Sequence, residues 1–176
     1  MKGQVVANFI AEFTLGEDQL AEVKEQWKIY TDGSSNKRAG GAGVVIQTPQ
    51  GDMIRCMIRL DFLITNNDAE YEALVAGLDL AKAMGAENVI VHCASLVVTS
   101  QINGNYECKN DRMKKYLEEV KHQINNIEVE FVQIPREENG WADQLAKSAS
   151  AEFIMVPEQV LSFVQTSSLI NNETNM

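Results

Sequence analysis

The succession of β and helical patterns along this chain predicts a mixed α/β domain, a five-stranded mixed sheet flanked by helices. Three observations predict it. Three β-patterned stretches follow one another between residues 27 and 61, and beyond them helical and β patterns alternate. The chain's 176 residues, 45% of them hydrophobic, suffice for one domain with a sizeable core.

Residues 1–25 mix apolar and acidic side chains, with Phe9, Ile10 and Phe13 preceding a Glu-rich stretch, and read as a connector. The domain is expected over residues 26–150. Its first strand begins at Trp27, where WKIYT alternates large and polar residues before a turn at DGSSN. A second strand is expected at 42–47, closed by the turn PQGD, and a third at 53–61, completing an antiparallel meander. GGAG at 40–43 lacks the Lys-Ser/Thr of a phosphate loop and reads as a turn. Thr65-Asn66-Asn67-Asp68 has the form of a capping box, with a hydroxyl for one orphan amide and a carboxylate three residues on reaching back. The helix it opens keeps Leu74, Leu78, Ala81 and Met84 on one apolar face until Gly85 stops it. NVIVHC at 88–93 is a β-branched strand, 96–102 a short helix and 111–124 a charged amphipathic one. A fifth strand at 128–134 precedes a last helix from near Asn139 to Ala149. Residues 151–176 end in the polar TSSLINNETNM and are expected to form a tail, flexible at its end.

Composition narrows the function classes. No run of eighteen apolar residues occurs and the N-terminal stretch lacks a secretory cleavage pattern, so an intracellular protein of the cytoplasm or nucleus is expected, with no membrane partner. Cys56, Cys93 and Cys108 are odd in number and show no CxxC spacing, against both a disulfide framework and a zinc ribbon. His92 and Cys93 are neighbours on a strand, where they point to opposite faces. The sequon at Asn172 reads as chance. A formal charge of −10 opposes general attraction to phosphate, so nucleic-acid binding has to be local. The same charge suits a site that collects carboxylates around divalent cations.

Three acidic residues stand out by position. Asp32 closes the first strand, Glu70 lies in the first turns of the capped helix, and Asp143 lies in the first turns of the last helix. Strand ends and helix starts converge at one edge of a mixed sheet, and carboxylates brought together there repel until a cation neutralises them. Magnesium takes hard oxygen ligands, only a few of them from protein. Taken singly, each residue is ordinary: an Asp in a turn, or an acid complementing a helix dipole.

The segments TDGSS, TNNDAEYEAL and PREENGWADQLAKSA stand in the order and context of the ribonuclease H superfamily. From about Trp27 to Ser150 the chain resembles the ribonuclease H-like domain that accompanies reverse transcriptase in plant gypsy-type retrotransposons. The leading FIAEFT resembles the connector between polymerase and nuclease in such elements. The resemblance implies a ribonuclease H-like fold, two magnesium ions (manganese being possible) and hydrolysis of the RNA strand of RNA–DNA hybrids. By the same resemblance Asp32, Glu70 and Asp143 match the first, second and fourth metal-binding, catalytic carboxylates. The third is expected directly before Ser95, and Ala94 stands there. A methyl group cannot bind a cation, so activity is expected to be lost or strongly reduced.

Gln133 stands where cellular relatives carry a histidine, which leaves Arg136 as the nearby cation for a departing phosphate; its alternative is a solvated partnership with Glu137 or Glu138. Gly33, Ser34, Asn66 and Asn67 are the positions implied to read the RNA strand's 2′-hydroxyls, although the asparagines also suit a helix entry. Lys37, Arg38, Lys109, Arg112, Lys114 and Lys115 are the candidates for local positive potential. A monomeric hybrid-binding nuclease disabled at Ala94 competes with two other readings, a non-catalytic nucleic-acid-binding module and a protein-interaction domain, each domesticated from a retroelement.

Overall fold

The computed structural model describes residues 25–104 and 110–170. The connector through Lys24, Cys108, Lys109 and the last residues of the tail lie outside the described residues.

The meander forms as expected. β1 (Trp27–Ser35), β2 (Gly40–Gln47) and β3 (Met53–Leu60) pair antiparallel in sequence order. α1 (Asn66–Ala83) follows, then β4 (Asn88–Cys93), α2 (Leu96–Ile102), α3 (Asp111–Gln123) and β5 (Glu128–Gln133), and a short 3-10 turn (Arg136–Asn139) leads into α4 (Gly140–Ser150). β4 pairs parallel with both β1 and β5, so the strands that begin at Trp27 and Asn88 are neighbours.

The sheet has six strands rather than five. β6 (Val160–Gln165), from the segment read as a tail, pairs parallel with β3 and gives the order β5-β4-β1-β2-β3-β6. Its residues are mostly exposed, so no buried face imposed an alternation that could be read in advance. What holds it is the ladder on β3 together with a cluster of polar contacts to α1.

Two layers cover the sheet. On one face α1 and α3 bury Leu74, Leu78, Tyr116 and Val120 against Ile29, Val44, Ile46, Val89 and Val91. Each such side chain contributes roughly 1.5–3 kcal/mol when fully withdrawn from water. On the other face α4 sets Leu145 and Ala149 against Val45 and Met57. Here GGAG corrects the expectation of a turn, for its residues form the start of β2. A Cβ on Gly41 would stand 2.0 Å from the Ala146 carbonyl oxygen and one on Gly43 2.1 Å from that of Ala142, so these glycines admit the backbone of α4.

α1 departs from expectation in two details. Thr65 caps it by accepting from the Asp68 amide at 3.1 Å, but the Asp68 carboxylate pairs with Arg112 at 3.0 Å, because α3 brings a cation to it. Met84 lies past the last turn and is 39% exposed, unlike the buried Leu74, Leu78 and Ala81.

The Gly43 contact makes a direct prediction. Gly43→Ala forces α4 off the sheet or bends β2, and the overpacking should cost roughly 1–3 kcal/mol. A lowered urea midpoint is the expected result, and an unchanged one would show that α4 is free to shift.

Candidate active site

The site arises where one strand outruns its neighbour. β1 and β4 run parallel as far as Thr31 and Cys93, but β1 continues on β2 through Asp32, Gly33, Ser34 and Ser35. Asp32 is therefore inside the strand rather than at its end, and beyond it the β4 side of the sheet opens. Such a divergence at the carboxyl ends of parallel strands is where sheets of this kind hold ligands. A cavity of about 350 Å³ lies there.

Each expected carboxylate reaches this cavity by a different element. Asp32 comes from β1, Glu70 from the second turn of α1 and Asp143 from the first turn of α4. Asp32 and Glu70 are each only 9% exposed. The Asp32 carboxyl lies close enough to interact with both Glu70 and Asp143. The Gly33 amide donates to Glu70 Oε1 at 2.8 Å, while Glu70 Oε2 is buried without a partner.

Carboxyls in mutual contact must share protons or a cation. Burial, then the neighbouring Asp32, pushes Glu70 up to about 9 despite the Gly33 amide and the charge of Arg136. Burial also raises Asp32, with Asp143 adding to the rise and Glu70 and Gly33 opposing it. Burial pulls Asp143 upward too, but its interaction with Asp32, the Lys147 ammonium at 3.1 Å and the charge of Arg136 together leave it below the ordinary carboxylate value. Without a cation, Glu70 keeps its proton at neutral pH.

The donor set fits hard divalent ions held in part by water and substrate. Among the described residues no three His, Cys, Asp or Glu groups are arranged to hold one metal ion by themselves. Asp32 instead belongs to two carboxylate pairs, one with Glu70 and one with Asp143. Magnesium needs no more than one or two protein carboxylates if waters and phosphate oxygens complete its shell. The partnerless Glu70 Oε2 is an acceptor available for that purpose.

Ala94 directly follows Cys93, the last β4 residue in register with β1, where it pairs with Thr31; Ser95 lines the cavity and Ala94 is not among its lining residues. The Ala94 carbonyl accepts from Gln133 Nε2 at 3.3 Å, and the same amide group donates to the Ile134 carbonyl at 3.0 Å. Gln133 thus ties two loops together. Ser95, which caps α2 by accepting from the Val98 amide, forms the wall on this side.

Gly33, Ser34, Asn66, Asn67 and Arg136 all line the cavity. Asn66 Oδ1 accepts from the Ser35 hydroxyl at 2.6 Å. The wider set of basic residues converges less. Arg38 pairs with Glu152 at 3.0 Å and Arg112 with Asp68, so neither offers a free charge. His92 stacks on Tyr30 with ring centroids 4.4 Å apart, and Cys93 lies buried beside Thr99. Lys147 was not anticipated, although its spacing of four from Asp143 on one helix is a readable signal. Asn139 was not anticipated in its role either; its side-chain amide donates to the Thr31 carbonyl at 2.9 Å and pins the start of α4 beside Asp32.

Comparison with known proteins places this geometry in a family. The sequence profile described as "Reverse transcriptase-like" matches residues 30–149. The protein YpeP of Bacillus subtilis is 30% identical over 138 residues, 74% of this chain and 61% of its own length. The bifunctional protein Rv2228c of Mycobacterium tuberculosis is 35% identical over 127 residues, 69% of this chain and 34% of its own length. The chain thus spans less than two thirds of either relative. Among solved structures, LC11-RNase H1 in complex with RNA/DNA hybrid superposes with a TM-score of 0.65 at 32% identity, covering 70% of this chain and 96% of that one.

The raised Glu70 has a thermodynamic consequence. In the metal-free protein the folded state binds Glu70's proton more tightly than the unfolded state, so stability is full below the ordinary value of 4.5 and is lost as pH rises toward about 9. Glu70→Gln removes that loss. The variant should be more stable than the parent at pH 7, by on the order of 1–3 kcal/mol, with the gap closing below the ordinary carboxylate range. Thermal denaturation in chelator across pH measures this, and a variant less stable at pH 7 would contradict it.

Proposed function

Because the chain belongs to the reverse transcriptase-like family and folds as a ribonuclease H-like domain, we propose that it derives from a plant gypsy-type retrotransposon polyprotein as its RNA–DNA hybrid nuclease, left with little or no activity by Ala94. The observation that carries this reading is the meeting of Asp32, Glu70 and Asp143 in one cavity; the resemblance supplies the expectation of a fourth carboxylate at Ala94.

Asp32, Glu70 and Asp143 are the residues that would hold two magnesium ions, with manganese as a substitute. When bound, such ions activate the attacking water and stabilise the leaving oxygen of a phosphodiester. The protein's part is positional. The Gly33 amide orients Glu70, Lys147 keeps Asp143 ionised, and Arg136 provides positive charge at the cavity for a phosphate oxygen. With the Gly33 amide committed to Glu70, the reading of 2′-hydroxyls falls to Ser34, Asn66 and Asn67.

Ala94 removes one negative charge from a set that has to hold two dications. A group of this kind is worth roughly 10²–10³ or more in rate. Hybrid binding draws mainly on other residues and is expected to persist, weakly and with strong salt dependence given the net charge of −10. In a non-catalytic module domesticated from a retroelement, whether it binds nucleic acid or protein, the same residues would bind without cutting.

Cleavage of an end-labelled hybrid in magnesium and in manganese separates these readings. The chain as it stands should cut barely or not at all, and Ala94→Asp should restore metal-dependent cleavage of the RNA strand by at least ~10²-fold. Adding Asp32→Asn to Ala94→Asp should abolish it. A folded but inactive Ala94→Asp protein would point instead to a binding module.

A further inference from the structure

α1 carries a second buried carboxyl that the proposed chemistry does not use. Glu72 is 1% exposed and lies two residues beyond Glu70. At about 100° per residue the two side chains leave the helix on opposite sides. Glu70 looks toward β1 and the cavity, whereas Glu72 looks toward α3 and the end of the chain.

Every hydrogen-bond donor to Glu72 in the described residues comes from those two places. Its Oε2 accepts from the Tyr116 hydroxyl of α3, from the Ser168 hydroxyl at 2.6 Å and from the Leu169 amide at 3.2 Å. Its Oε1 accepts from Gln165 Nε2 at 2.7 Å. The Tyr116 and Ser168 hydroxyls are also 2.9 Å apart, which closes a ring of contacts. Three of the four donors thus come from residues just past or at the end of β6. A buried carboxyl with its donors removed cannot stay as it is, so α1 must move if this segment leaves. The rest of the grip is on the same turns. Arg112 pairs with Asp68, and Tyr71 stacks on Tyr116 with centroids 5.3 Å apart.

We propose that residues 160–170 form a strap that sets the position of α1 through Glu72, and that Glu72, Tyr116 and Ser168 are positioning residues for Glu70 on the helix's opposite side. Rotation of α1 by a few degrees would carry Glu70 away from the Gly33 amide, because the two sites share one rigid turn. The consequence for metal binding rests on the nuclease reading; the positional claim does not. The last strand is therefore a working part of the site, although it lies three strands from Asp32.

Two readouts on the full chain decide it, the Gly33 amide resonance in a ¹H–¹⁵N spectrum and the affinity for Mn²⁺ alone. Ser168→Ala should displace the Gly33 resonance and weaken Mn²⁺ binding on the order of tenfold, as removal of groups that orient metal ligands does. Gln165→Ala, at a half-buried position, is the milder second variant should Ser168→Ala fold poorly. Val120→Ala, in the α3 core, serves as the control for general destabilisation. It should lower the melting temperature while leaving both readouts in place. If the Gly33 resonance stays put in folded Ser168→Ala and Gln165→Ala, or moves equally in Val120→Ala, the strap is structural only and the proposal is overturned. If neither parent nor variant binds Mn²⁺, the metal reading fails, and the Gly33 resonance still decides whether the strap positions α1.

Discussion

The site depends on how closely α1 approaches β1 at Gly33. A Cβ there would stand 2.3 Å from both the Ala69 carbonyl carbon and the Glu70 nitrogen, so any other residue would push the helix outward. Its absence lets the helix backbone rest on the strand and lets the Gly33 amide reach Glu70 Oε1. Asp32 and Glu70 are then forced into contact whatever their mutual repulsion. The alignment of Asn66 and Asn67 along the cavity follows from where that contact places α1.

Electrostatics then works against stability. Asp32 and Glu70 are buried next to each other with Arg136 and Lys147 too peripheral to neutralise them, and the whole chain already carries −10. A protein accumulates such strain where function requires it, because substitutions that relieve it are easily found. The hydrophobic layers on both faces offset the cost, and they do so with small residues at the closest approaches, as at Gly41 and Gly43 under α4.

The two carboxyls of α1 are satisfied in contrasting ways. Glu72 is surrounded by four donors and has no unmet oxygen, which is how a structural carboxyl is buried. Glu70 has one amide, one acidic neighbour and an orphan oxygen, which is how a carboxyl awaiting a cation is held. The same helix thus carries one group that is complete and one that is not.

By itself the sequence determined the meander, the alternation of helices and strands after it, and the membership of Asp32, Glu70 and Asp143 in one site, together with the alanine where a fourth acid is expected. Periodicity, caps and multi-segment motifs are local signals, and these elements are held by local patterns. What only the tertiary structure decided was settled by contacts between segments far apart in the chain. GGAG became strand because α4 needed a close surface, and Asp68 turned from the helix cap to Arg112 because α3 arrived beside it. VLSFVQ joined the sheet although neither of its faces is buried, because it meets the free edge of β3 and its Gln165 donates to Glu72, partners more than ninety residues away in sequence. No window along the chain contains both halves of those interactions, and so no pattern within a window could report them.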